Sequence, residues 1–129
     1  MNAYPIEVIL SRQLAETLSI PVFIIDPEGT LLFYNEPAET ILGRKFEDTG
    51  EMKVDIWSTI FNPLGENGKP LNPDDLPLVK TLKSHMPAHG SFFIDSLKNE
   101  RTKISVTAYP LQGRAERFLG AVAIFWKSK

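Results

Sequence analysis

The sequence predicts an α+β domain: one antiparallel β-sheet with helical segments packed on one of its faces. Three observations predict it. Apolar runs rich in β-branched residues fall into two groups, residues 22–34 and about 89–126, and the links within each group suit antiparallel pairing. A stretch with helix caps and helical spacing separates the groups, and another with helical periodicity precedes both. The chain's 129 residues make one domain, large enough for a hydrophobic core without disulfide staples.

Residues 5–18 read as an amphipathic helix. Pro5 suits the first turn, and Ile6, Ile9, Leu10, Leu14 and Leu18 form one stripe, with Glu7, Arg12 and Glu16 off it. Pro21 forces the chain out of helix. Val22–Ile25 and Leu31–Tyr34 are strands joined by Asp26-Pro27-Glu28-Gly29, in which each residue favours a tight turn, so 22–34 is a hairpin. Asn35 is a good N-cap for a short helix over 36–42, acidic at its start, which Gly43 closes in the left-handed conformation.

Ile56, Trp57, Ile60 and Phe61 have helical spacing and predict one or two helical turns within 44–60. Residues 62–73, with Pro63, Gly65, Gly68, Pro70 and Pro73, form a loop. Asp74 or Asp75 is expected to cap the next helix, with Pro77 in its first turn, Leu78, Val79, Leu82 and Met86 as its buried stripe and Pro87 as its stop. Three strands follow, at about 89–96, 102–109 and 118–126; Ile104, Val106 and Ala108 alternate with polar residues, so the second is two-faced. The runs at 22–25, 31–34 and 121–126 are apolar on both parities, so both sheet faces are expected to be covered, the second by the 5–18 helix or by another subunit.

Composition narrows the function. With no cysteine there is no disulfide framework, no Cys-ligated metal and no thiol nucleophile. No stretch approaches the roughly 20 apolar residues of a membrane helix. The N-terminus lacks the layout of a secretory signal, so a cytoplasmic location is expected. The net charge of −2 hides a split, −7 over 26–75 and +6 over 76–129. Lys98, Arg101, Lys103, Arg114 and Arg117 have only Phe118 as a nearby aromatic. They read as a solvated hairpin edge rather than a nucleic-acid surface. Asp74-Asp75 and Glu47-Asp48 lie at a cap and in a loop, with no nucleophile elbow, triad or phosphate-binding glycine loop elsewhere, so no enzymatic activity is expected.

Three stretches resemble the PAS (Per-Arnt-Sim) sensor domain family, in its bacterial form. The first runs from Ile20-Pro21-Val22-Phe23-Ile24-Ile25-Asp26 through Gly29, Phe33-Tyr34-Asn35 and Ala38-Glu39 to Ile41-Leu42-Gly43-Arg44. The second is Leu71, Asp74-Asp75-Leu76-Pro77-Leu78 and Pro87-Ala88-His89, and the third is Val106-Thr107-Ala108-Tyr109-Pro110-Leu111 with Gly120-Ala121-Val122-Ala123. The resemblance implies a five-stranded antiparallel sheet of order 2-1-5-4-3, a pocket between the sheet and the central helices, and a division into an N-terminal helix (1–19) and a PAS domain (20–129). The last strand ends Phe125-Trp126-Lys127-Ser128-Lys129, without the Asp-x-Thr pattern with which many such domains join an effector.

The expected pocket residues are Phe33, Trp57, Phe61, Leu78, Leu82, Phe93 and Val106, which suit a small hydrophobic ligand and would equally fill a packed core. Ile6, Ile9, Leu10 and Leu14 are the candidates for capping the sheet or forming a homodimer. His85, near the place where haem-binding PAS domains carry an axial ligand, is the haem candidate; a non-covalent flavin against Trp57 and Phe61 is the other cofactor considered. The covalent light-sensing branches of the family need a cysteine that this chain lacks. The functional expectation is a sensory domain that relays its state through a dimer contact to an effector such as a histidine kinase or cyclase. The alternative is a ligand-free dimerisation module.

Overall fold

A computed structural model describes residues 4–128. The elements are α1 (Ile6–Thr17), β1 (Val22–Ile25), β2 (Leu31–Tyr34), α2 (Glu36–Leu42), α3 (Phe46–Thr49), α4 (Val54–Ile60), α5 (Pro77–Ser84), β3 (Ala88–Asp95), β4 (Arg101–Gln112) and β5 (Phe118–Lys127). Short 3₁₀ turns occupy Pro73–Asp75 and Arg114–Glu116. The sheet is antiparallel with order β2-β1-β5-β4-β3, as expected.

Local chemistry explains most boundaries. The Asp26 carboxylate accepts the amides of Glu28 and Thr30, both at 2.9 Å, and so closes the β1–β2 turn. Asn35 caps α2 by accepting from the Ala38 amide at 3.2 Å, and Gly43 ends it with φ 84°. A side chain on Gly43 would press on the backbone nitrogens of Leu97 and Lys98, where the β3–β4 turn docks on the end of α2. Gly120 is more constrained: its φ is 135°, and a Cβ there would stand 2.2 Å from the Ile25 carbonyl oxygen.

Several expected details differ. Pro5 is the N-cap of α1 and not a residue of its first turn. The 44–60 stretch holds two helices, α3 and α4. Asn72 caps the 3₁₀ turn that contains Asp74 and Asp75, and α5 starts after Leu76 without a side-chain cap, because Pro77 needs no N–H partner. His85 ends α5 at φ 59°, so Met86 lies beyond the helix and is exposed. β4 continues through Pro110 to Gln112, and β2 and β3, not the strand that carries Lys103, are the sheet edges.

All four positions of both β1 and β2 are buried. Both faces of the sheet are covered here, and a bulge sets which face each β2 residue takes: Ile24 pairs with Phe33 and Ile25 with Leu31, leaving Leu32 as the extra residue. Leu31 and Tyr34 therefore join the main core, and Phe33 joins the cluster on the opposite face with Ala15, Val22, Ile24 and Val122. Helix α1 lies over that outer face on Val8, Ser11, Ala15 and Leu18. Ile6, Ile9, Leu10 and Leu14 are not the capping residues: they face solvent, Ile6 at 66% exposure and Leu14 at 59%.

Candidate functional site

The inner face of the sheet meets α2, α4 and α5 across an apolar core. Trp57 anchors it from α4. Its indole N–H donates to the Gly29 carbonyl at 2.7 Å, and its ring meets Phe23 edge-on at 5.4 Å. Phe23 in turn stacks on Tyr34, ring centroids 6.0 Å apart. The Tyr34 hydroxyl donates to the Arg44 carbonyl at 2.9 Å, and burial holds its pKa above the usual tyrosine value.

Within this core lies a cavity of about 80 Å³. Of the expected pocket residues, Trp57, Phe61, Leu78 and Val106 line it. Three other expected residues do not. Phe33 is on the outer face, where the bulge puts it under the Arg12 guanidinium, 4.5 Å from its ring centroid. Phe93 points outward: Phe92 pairs with Ile104 and shares its inward face, so the residue between Phe92 and Ile94 takes the other side, with the Lys103 ammonium 5.9 Å from its ring. Leu82 packs beside the Gly29 turn, outside the cavity wall.

The lining residues that sequence reasoning missed include Phe23, Phe92, Ile94, Ile104, Phe125 and Ser58. The strand residues among them were accessible through register. Val106 is an expected pocket residue and Ile104 shares its parity; across the Lys98–Arg101 turn Ile104 pairs with Phe92 and Val106 with Gly90, and alternation along β3 then puts Ile94 on the same face. Ser58 carried no such signal.

The remaining candidates lie elsewhere. His85 is exposed and stacks on Phe118, ring centroids 3.8 Å apart and planes within 7°. His89 shares a hydrogen bond with the Thr107 hydroxyl at 3.0 Å on the outer face. Among the described residues no three His, Asp or Glu side chains are grouped to hold a metal ion. Haem does not fit the residues present: no histidine lines the cavity, and its volume is about half that of the ~150 Å³ void that takes a benzene. Flavin does not fit either, because the many polar atoms of its ring system would meet one free hydroxyl, that of Ser58. Both carboxylate pairs are exposed, and Asp74 is engaged by Lys83.

A second polar arrangement joins the two faces of the sheet. Asn35, 1% exposed, makes four hydrogen bonds. Its amide donates to the carbonyls of Ala15 and Ile20, both at 2.9 Å, and its carbonyl accepts from Val22 at 2.9 Å and Ala38 at 3.2 Å. One side chain thus ties the end of α1, the start of β1 and the first turn of α2. At the far end of the sheet Arg101 grips Asp95 through two hydrogen bonds (2.8 and 3.1 Å), and Asn62 donates to the same carboxylate at 2.9 Å. These contacts hold the Asp95 pKa down at about 2, with the Arg101 bond the larger cause.

No curated protein matches this chain. Among solved structures it is similar to the PAS domain of a protein from Colwellia psychrerythraea (TM-score 0.65, 14% identity, 94% of this chain and 96% of that one). It is also similar to a LOV protein from Rhodobacter sphaeroides (TM-score 0.73, 11% identity, 97% of this chain and 69% of that one). A third is a PAS domain from a two-component sensor histidine kinase (TM-score 0.62, 9% identity, 95% of this chain and 97% of that one). At such identities these likenesses speak to the fold. A family model described as PAS domain matches residues 10–77, more than half of the length, and covers the later part of α1, the first hairpin, the Asn35 cap and the helices α2 to α4. The chain belongs to the PAS domain family.

Proposed function

We propose that this PAS domain is a sensory module of bacterial type, working in the cytoplasm, that holds a small apolar ligand between sheet and helices and relays its state through a contact between two copies. The observation that carries this reading is the apolar cavity under α4 and α5, together with the Asn35 link from α2 to a helix whose large apolar side chains are exposed among the described residues. A ligand shifts the population toward one packing of α2–α5. Asn35 passes the change to α1, and Ile6, Ile9, Leu10 and Leu14 present it to the second copy. The similarity to a PAS domain from a sensor histidine kinase suits an effector of that class, or a cyclase. Among the described residues no helix is long and apolar enough to cross a membrane.

The small cavity favours a second reading, a ligand-free dimerisation module whose working part is α1 alone. Native mass spectrometry separates the two. A mass of two chains with a bound small molecule is expected for the sensor, and a dimer that never takes up a ligand supports the module. A chain that stays single at tens of micromolar contradicts both.

A further inference from the structure

We propose that Ser58 is the polar anchor of the cavity, and that its ligand is a small neutral molecule with one hydroxyl or carbonyl group on an apolar body. The inference rests on the ligand reading given above. Ser58 is 3% exposed and lines the cavity from α4. A helical serine or threonine ordinarily returns its hydroxyl to the carbonyl one turn back. Ser11 does so with Glu7 at 2.7 Å, and Thr59, the next residue along α4, with Asp55 at 2.9 Å. Among the hydrogen bonds of the described residues, none involves the Ser58 hydroxyl. The other polar side chain of the lining, Trp57, has its donor committed to Gly29.

The surroundings set the chemistry of the occupant. No charged side chain lines the cavity, so an ionised ligand would stand unpaired in an apolar space and is strongly disfavoured. Water needs two to four polar partners, and Ser58 is one. A molecule that buries carbon against Phe92, Ile94 and Val106 and turns a single polar group to Ser58 satisfies both demands. Since a void of about 150 Å³ takes benzene, about 80 Å³ admits roughly three to five non-hydrogen atoms, the size of a short alcohol, ketone or aldehyde.

The test compares wild type with Ser58→Ala by NMR, using xenon and 2-butanone as separate probes. Xenon is expected to shift the methyl resonances of Leu78, Val106 and Ala123 equally in both proteins. 2-Butanone is expected to bind wild type about five- to tenfold more tightly than the variant, the share of one neutral hydrogen bond. The urea midpoint of Ser58→Ala is expected to equal or exceed that of wild type, because the hydroxyl makes no hydrogen bond among the described residues that the substitution could break. Equal 2-butanone affinities, or a lowered midpoint showing a structural serine, overturn the anchor while leaving the cavity reading intact. Absence of any xenon response in wild type overturns the cavity reading and the anchor with it.

Discussion

The two faces of this sheet are buried by opposite means. On the inner face, large side chains from five strands and three helices interlock: Trp57 against Phe23, Phe23 against Tyr34, Leu78 and Phe61 behind them. On the outer face one helix settles on Val8 and Ala15 and leaves Ile6, Leu10 and Leu14 more than half exposed. The inner face is nearly closed with the residues of one chain. The helix on the outer face presents apolar surface that the described residues leave uncovered. A stable fold and an unsatisfied surface therefore coexist, and substitutions on the two faces should separate stability from association.

The largest effect is expected from Trp57→Ala, which empties the centre of the inner core and removes the bond to Gly29. Urea unfolding should show a loss of about 4 kcal/mol, whereas Leu14→Ala should stay within about 0.5 kcal/mol of wild type. Comparable losses would erase the distinction between the faces.

Asn35→Ala attacks the joint between them. Four partners, three of them buried, lose their hydrogen bond, and a loss of about 2–3 kcal/mol is expected. Hydrogen exchange should speed up in α1 and in the first turn of α2 together. Acceleration confined to α2 would show that Asn35 is a cap and not a link.

Thr81 tests how complete the inner packing is. It is fully buried, and its hydroxyl has no partner. Thr81→Val keeps the shape and removes the unpaired group, so it is expected to raise stability by about 1 kcal/mol in the same assay. The smallest effect belongs to Asp95. Its carboxyl pKa is lowered from 3.8 to about 2 in the folded protein. The stability it contributes is therefore present above pH 4 and is lost as the pH falls through 2. The difference in urea midpoint between wild type and Asp95→Asn should be constant above pH 4.5 and shrink between pH 4 and 2.

The parts of the molecule that are set by neighbouring residues were legible in the sequence. The Asp26–Gly29 turn, the Asn35 cap and the left-handed Gly43 follow from local hydrogen bonding and φ preference, and the strand order followed from resemblance. What depends on register or on the environment of a whole element was not legible. One inserted residue, Leu32, moved Phe33 to the other face, and a one-residue parity choice exchanged Phe93 for Phe92. Periodicity identified the amphipathic stripe of α1 but could not say what it faces, because Val8 and Ala15 suffice to seat the helix. Ser58 is an ordinary helical serine until the cavity beside it is seen.

Sedimentation equilibrium of wild type and of the double variant Leu10→Ser/Leu14→Ser tests the central claim most directly, with circular dichroism as the control for folding. The account predicts a wild-type particle of two chains, a variant particle of one, and the same spectrum for both. A wild-type chain that sediments singly across the micromolar range, or a variant that remains paired, would contradict it.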